Sequence, residues 1–339
     1  MPSFRPSLVC LVAVGAFASL SACSGAGGDG AAASGSSSGS PVNEGSSGGT
    51  SSGTSGASGG TSGGGSDAGP GGGGGDGGAP TDYGFPTKWI DGTACGSEPE
   101  VQTWKYAEGT FILRQSLCTN FEGPFLYLLV GATKALLVDT GTGAVDMRPH
   151  VMGLLAGKSV ELVVAHSHAH GDHVGGDGAF GGKPSTTVVG TSATAAKAFF
   201  GVTGTSATAY DLGGRVVDVL PIPGHQAAHL AFYDRRDQLL LTGDTLYPGR
   251  LYIDDWNAYR ASIPRLVAFV SAGHPVKHVL GAHIELPKTG ADYPVGTKAH
   301  PNEHALQLGV AELGELDAAV KAMGPTPKRE VHTSFIIDP

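Results

Sequence analysis

What the sequence lacks narrows it first. No apolar run reaches the roughly 20 residues that a membrane-spanning helix needs; the run over 8–20 falls short. Cysteine is scarce, with 4 in 339 residues, and Cys95 and Cys118 stand too far apart for the close pairing of structural zinc sites. Basic residues are few: 21 Lys and Arg face 30 Asp and Glu, a formal net charge of -9. With no basic stripe among them, nucleic acid is excluded as a partner. Between 24 and 80 there is no Lys, no Arg, no aromatic residue and one Val.

That last gap divides the chain. A Gly- and Ser-rich segment cannot bury enough apolar surface to offset the entropy of ordering it. Residues 23–81 therefore read as a disordered linker, with a root-mean-square reach of roughly 40 Å. Residues 1–22 have the order of a signal peptide: Arg5, the apolar stretch, then small residues. Leu20-Ser21-Ala22-Cys23 resembles the bacterial lipobox, which implies cleavage before Cys23 and lipid on its sulfur. Ser24, rather than Asp, then implies sorting to the outer membrane. The expectation is an exported lipoprotein, anchored to the cell envelope through Cys23 on its periplasmic or surface face. Residues 82–339 are long enough for one domain with a full core. In an exported domain, Cys95 and Cys118 are expected to pair as a disulfide.

Within the domain, short apolar runs alternate with helical patterns. Strands are expected over 125–130 and 135–138, 160–165, 187–189, 215–221, 229–233, 238–241 and 278–280. Helices are expected over 145–155, 192–199, 256–270 (despite Pro264) and 302–323. The mixture implies a layered α/β fold.

The chemistry concentrates in AHSHAHGDHVGG, residues 165–176, directly after the strand VELVVA. In an extended segment residues two apart face one way, so His168 and His170 can share a metal. Gly171 permits a turn, after which Asp172 and His173 leave together toward a second ion. His166 shares the face of His168 and His170, so spacing does not exclude it. Two catalytic ions need about three protein ligands each. Later positions fit that need: His225 after VVDVLPIPG, Asp244 after LLLTG, and His283 after HVLGA.

His168-Ala-His170-Gly-Asp172-His173 resembles the HxHxDH signature of the metallo-β-lactamase superfamily. The likeness continues through LVDTG upstream and the PGH, TGDTLY and GAH segments downstream, over roughly 125–285. It implies an αββα sandwich, two mixed β-sheets flanked by helices, with a dinuclear centre at their edge. It assigns His168, His170 and His225 to one ion, Asp172, His173 and His283 to the other, and Asp244 to both. His166 and His229 have no ligand role in that register, and Asp139 supports the site without touching metal. His150, His274, His278, His300, His304 and His332 are read as surface or supporting groups. Two divalent cations are implied as cofactors: Zn2+ suits the nitrogen-rich set, and Fe or Mn also fit.

A small-molecule hydrolase follows, cleaving an ester, lactone or thioester bond with hydroxide bridging the ions. Asp172 would carry the proton, and Tyr247, three residues after Asp244, would hydrogen-bond the substrate carbonyl, as in some lactonases of the superfamily. Phosphodiester, sulfate-ester or β-lactam hydrolysis on the same fold, and a non-catalytic metal-binding lipoprotein, are the alternatives. Residues 288–304 are either a pocket wall or a plain loop before the last helix.

Overall fold

The computed structural model describes residues 83–339. The signal segment 1–22, Cys23 and the whole of the linker are expectations that fall outside the described residues.

Two six-stranded sheets carry the architecture. In the first, β1 (Val101–Ala107), β2 (Thr110–Gln115), β3 (Phe125–Val130) and β4 (Lys134–Val138) form an antiparallel meander. Next to β4, β5 (Glu161–Ala165) and β6 (Thr186–Val188) add in parallel. Parallel additions need crossovers. Helix α1 (Arg148–Leu154) supplies one, and the short α2 (Gly171–Val174) and α3 (Asp177–Phe180) supply the other. Helix α4 (Ala193–Phe200) leads to the second sheet.

The second sheet repeats the plan. β7 (Thr208–Asp211), β8 (Val216–Pro221), β9 (Leu230–Asp234) and β10 (Leu239–Gly243) again form a meander. After β11 (Arg250–Tyr252) and α5 (Trp256–Ser271), β12 (His278–Gly281) joins β10 in parallel. β13 (Gln307–Leu308) pairs with β12. Beyond α6 (Val310–Met323), β14 (Glu330–Val331) and β15 (Ile336–Asp338) form a small third sheet with β11.

Strand alternation sorts side chains onto two faces. In β3, Phe125, Tyr127 and Leu129 enter the core between the sheets, beside Val217, Val219, Phe232 and Leu241. Leu126 and Leu128 point the other way, onto Val151 of α1 and Phe180 of α3. In the second sheet Tyr233, Leu240 and Val279 meet Tyr259, Ile263 and Leu266 of α5 and Leu313 and Leu316 of α6. The result is the expected αββα sandwich. Because both faces of each sheet are covered, its central strands read as continuous apolar runs rather than alternating ones.

Two local results qualify the expected elements. Helix α5 does continue through Pro264, held by the fully buried Ile263 and Leu266 on either side. The last helix, expected from 302, begins only at Val310. Asn302 is left-handed at φ 64°, residues 307 and 308 are committed to β12, and Glu312 caps the new start by accepting from the Gly309 N–H at 2.8 Å. Cys95 and Cys118 are disulfide-bonded as expected.

Candidate metal centre

Each part of the site lies just past the end of a strand, where α/β sheets place their functional loops. Asp139 follows β4, the histidine cluster follows β5, His225 follows β8, Asp244 follows β10 and His283 follows β12. Two glycines make the approach possible. Gly224 has φ 151°, and a Cβ there would lie 2.5 Å from the Tyr259 Cα. At Gly243, with φ 49°, a Cβ would fall 2.6 Å from the Ser167 Cβ and 2.7 Å from the His229 Nε2.

His168 and His170 lie on the extended exit from β5, as their spacing suggests. Their nitrogens meet that of His225: His168 Nε2 and His170 Nδ1 are 3.0 Å apart, and His225 Nε2 is 3.1 and 3.0 Å from them. All three ring nitrogens point at one spot, an arrangement that hydrogen bonds among themselves do not require. Ligands at about 2.0–2.1 Å around one tetrahedral zinc stand roughly 3.3 Å apart, so this triangle suits one small cation.

The second group forms where α2 turns. Asp172 Oδ2 lies 3.0 Å from His173 Nε2 and 3.2 Å from His283 Nε2. Asp244 joins the groups. Its Oδ1 is 3.5 Å from His283 Nε2, and its Oδ2 is 3.5 Å from His173, 3.6 Å from His225 and 3.8 Å from His168. His173 Nε2 and Asp244 Oδ1 are buried and make no hydrogen bond. Buried polar atoms are rarely left so, and a second cation would engage both. All seven residues expected as ligands are therefore brought together, in the grouping 168, 170, 225 and 172, 173, 244, 283.

The imidazoles are aimed from behind. His225 Nδ1 donates to the Tyr252 carbonyl at 2.7 Å, and His283 Nδ1 to the Glu122 carbonyl at 3.0 Å. Asp139 is the hub, and its backbone sits in the left-handed region at φ 69°. It accepts from the Ser167 N–H at 2.7 Å, the Ser167 hydroxyl at 2.9 Å and His173 Nδ1 at 2.9 Å. Ser167 Oγ in turn lies 3.1 Å from His168 Nδ1. These partners leave His173, His225 and His283 with Nε2 as the ligand atom.

Charge separates the two groups. Burial and neighbouring imidazoles hold His168 well below the usual histidine range, so it stays a neutral ligand. Burial opposes protonation of His173 too, but Asp244, Asp139 and Asp172 overcome it and raise its proton affinity strongly. His283, likewise buried, is pushed up to about 10 by Asp244 and Asp172. Despite burial, the same imidazoles hold both carboxylates below their ordinary range. A pocket that draws protons this strongly would also draw a divalent cation.

His166 turns away from the cluster and hydrogen-bonds Asp177 Oδ1 at 2.8 Å. His229 stacks on His168 with ring centroids 4.7 Å apart, and its Nε2 donates to the Thr242 carbonyl at 3.1 Å. His150, His274, His278, His300, His304 and His332 lie outside both groups. Tyr247 departs from the expected role. Its ring packs beside His283, but the fully buried hydroxyl donates to the Arg250 carbonyl, with Glu285 Oε2 at 3.3 Å. The proton meant for a substrate carbonyl is committed within the protein. Residues 288–304 divide between both readings: Pro294–Thr297 and His300 line a hollow beside the site, while Glu303 forms a two-pronged pair with buried Arg114 at 2.5 and 2.6 Å. Ser167 went unread, although a small hydroxyl between two histidines marked it. The Glu122 and Tyr252 contacts run through backbone carbonyls, which leave no trace in side-chain identity.

The sequence also matches known proteins. Residues 120–290 match the family profile of the metallo-beta-lactamase superfamily. A hydroxyacylglutathione hydrolase from Dechloromonas aromatica is 28% identical over 216 residues, which is 61% of this chain and 74% of that protein. One from Chromohalobacter salexigens is 30% identical over 218 residues, covering 61% and 77%. Among solved structures, a metallo-beta-lactamase from Pontibacter korlensis aligns with 65% of this chain and 99% of its own, at 18% identity and a TM-score of 0.46. The chain belongs to the metallo-beta-lactamase superfamily and is a metal-dependent hydrolase.

Proposed function

We propose that this hydrolase cleaves the acyl bond of an ester, lactone or thioester. The observation that carries the reading is Asp244, whose carboxylate faces both ligand groups and makes one centre of them. The choice of an acyl bond rests on the relatives, which are named for hydrolysing an acyl conjugate of a thiol. Divalent ions held there, zinc first and iron or manganese as alternatives, would supply an acidified water and an electrophile for the acyl oxygen.

The chain's own groups do the rest. Asp139 and the Glu122 and Tyr252 carbonyls hold the imidazoles in one orientation, so that no reorganisation is needed during reaction. Asp172 has the more open of the two ligand carboxylates, 19% exposed against 9% for Asp244. His173 and His283 keep it ionised against the effect of burial. It is the group to accept a proton from the attacking water and return it to the leaving atom. Tyr247 has no part in this scheme.

Placement at the envelope belongs to the same proposal. It is supported by the apolar 8–20 run, the Leu20-Ser21-Ala22-Cys23 sequence, the linker composition, and a disulfide of the kind found in oxidising compartments.

A substrate panel on the metal-loaded protein tests the chemistry. It should span lactones, thioesters, carboxylic esters, β-lactams, phosphodiesters and alkyl sulfates. Turnover is expected in the first three classes, with Asp172→Ala lowering kcat by about 10²-fold or more. Turnover confined to phosphodiesters or alkyl sulfates would reassign the reaction. Wild-type rates in Asp172→Ala would remove it as proton carrier.

A further inference from the structure

Beside the metal centre lies a hollow lined by Phe121, Glu122, Arg250, Tyr252, Glu285 and the 294–297 turn, with His300 at its side. It adjoins both ligand groups, because the Glu122 and Tyr252 backbones are the ones that hold His283 and His225. On the acyl-hydrolase reading, a leaving or trailing group directed to this side of the centre would meet this wall.

The charge of the wall is legible. Its one guanidinium, Arg250, is 8% exposed and already engaged. Nη2 donates to Glu285 Oε1 at 2.9 Å, Nη1 to Asp292 Oδ2 at 2.7 Å and to the Tyr293 carbonyl at 2.6 Å, and Nε to Tyr252 Oη at 3.0 Å. Two carboxylates thus share that one cation, and Asp292 gains only a distant second partner in Arg329, at 3.8 Å. Glu122 shares this lining with Arg250, whose donors are taken by the partners just named. Lys298 follows the turn but does not line the hollow. His300 Nδ1 donates to the Ile284 carbonyl at 3.1 Å, and its ring stacks on Tyr293. The remaining surface is apolar: Phe121 is 38% exposed and Val295 69%.

We propose that this wall selects substrates whose trailing group is neutral or cationic and disfavours net-anionic ones, with Glu122 as the specificity-determining residue. A glutathione thioester carries two carboxylates and one ammonium on its trailing tripeptide, and so is net anionic. It would bring like charge to a lining whose one guanidinium, among the described residues, is already shared by two carboxylates. The preference separates this chain from the named activity of its relatives while keeping their bond type. It rests on the acyl-hydrolase reading above.

The test compares acetyl thioesters of thiocholine, of an uncharged thiol and of glutathione on the full metal-loaded chain. At low salt, kcat/KM for the uncharged and cationic thioesters should exceed that for the glutathione thioester at least tenfold, and added salt should narrow the gap. Glu122→Gln should narrow it several-fold, and Glu122→Lys should narrow it further or invert it. Preference for the glutathione thioester overturns the proposal. So does a ratio unmoved in both variants. If none of the three thioesters turns over, the esters and lactones of the substrate panel decide the acyl-hydrolase reading separately. Calorimetric binding of S-hexylglutathione against hexyl thioethers of the other two thiols then decides the charge preference, with tighter binding of the glutathione conjugate overturning it.

Discussion

Asp139 never touches the ligand cluster's open face, yet Asp139→Asn should cost the protein its second metal. Asn keeps the left-handed backbone at φ 69°, which Asn tolerates better than most residues. It can also keep one acceptor for the Ser167 N–H. What it cannot do is accept twice more. Where Asp139 Oδ2 now receives the Ser167 hydroxyl and His173 Nδ1, the variant would set an amide N–H2 against the His173 N–H and make the Ser167 hydroxyl turn to accept. A hydrogen bond to a charged group contributes about 1.5–3 kcal/mol. The two share one oxygen and will not add, so roughly 2–4 kcal/mol of stability should be lost. His173 would be freed to rotate or change tautomer, and partners of this kind typically govern 10–100-fold in metal affinity. Chelator competition followed by metal analysis should show the weaker of the two ions lost first, with the group containing His168, His170 and His225 still loaded. Two ions held at wild-type affinity in Asp139→Asn would refute the claim that this carboxylate orients His173.

The remaining predictions concern proton linkage and anchoring. In chelator-treated protein, burial holds His168 and His229 far below the ordinary histidine range. Below about pH 6.5 the unfolded chain therefore binds more protons, and stability should fall by up to about 1.4 kcal/mol per pH unit for each. His173 and His283 have the opposite sign: their folded affinities are raised, to about 10 for His283, so their contribution is present at low pH and lost as pH climbs toward that value. Urea unfolding across pH should peak within a unit of 6.5; a steady rise through pH 9 would contradict the assignment. Cells fed a clickable palmitate should label the full-length protein, and Cys23→Ser should abolish the label; retained label would place the lipid elsewhere.

Much of the sandwich was legible because burial on both faces leaves long apolar runs. FLYLLV, ELVVA and LLLTG each become a central strand. The hairpin of β1 and β2 was not read, because VQTWKYA and TFILRQ mix polar with apolar residues. Their signal was the turn at Glu108 and Gly109, where Gly109 takes φ 69°. β13 is two residues long and exists only because β12 offers an edge. No local pattern specifies such a strand; tertiary pairing does.

The ligand set was legible for a different reason. Metal chemistry restricts residue types so strongly that histidine and aspartate after successive apolar runs stand out. Spacing alone could not separate His166 from His168, since both follow one extended strand. The structure separates them by Asp177, eleven residues further on at the start of α3, which captures the His166 ring. Tyr247 shows the converse failure. Its place three residues after Asp244 suggested reach into the site, but the chain reverses at once: the Gly249 N–H donates to the Tyr247 carbonyl at 2.8 Å. A Cβ on Gly249 would lie 2.2 Å from the Tyr247 ring, so only glycine lets the backbone pass there. That reversal carries the hydroxyl to the Arg250 carbonyl instead of the ions. Sequence distance bounds how far a side chain can reach. Its direction is set by the turn that follows, and here that turn favours the wall of the hollow over the centre.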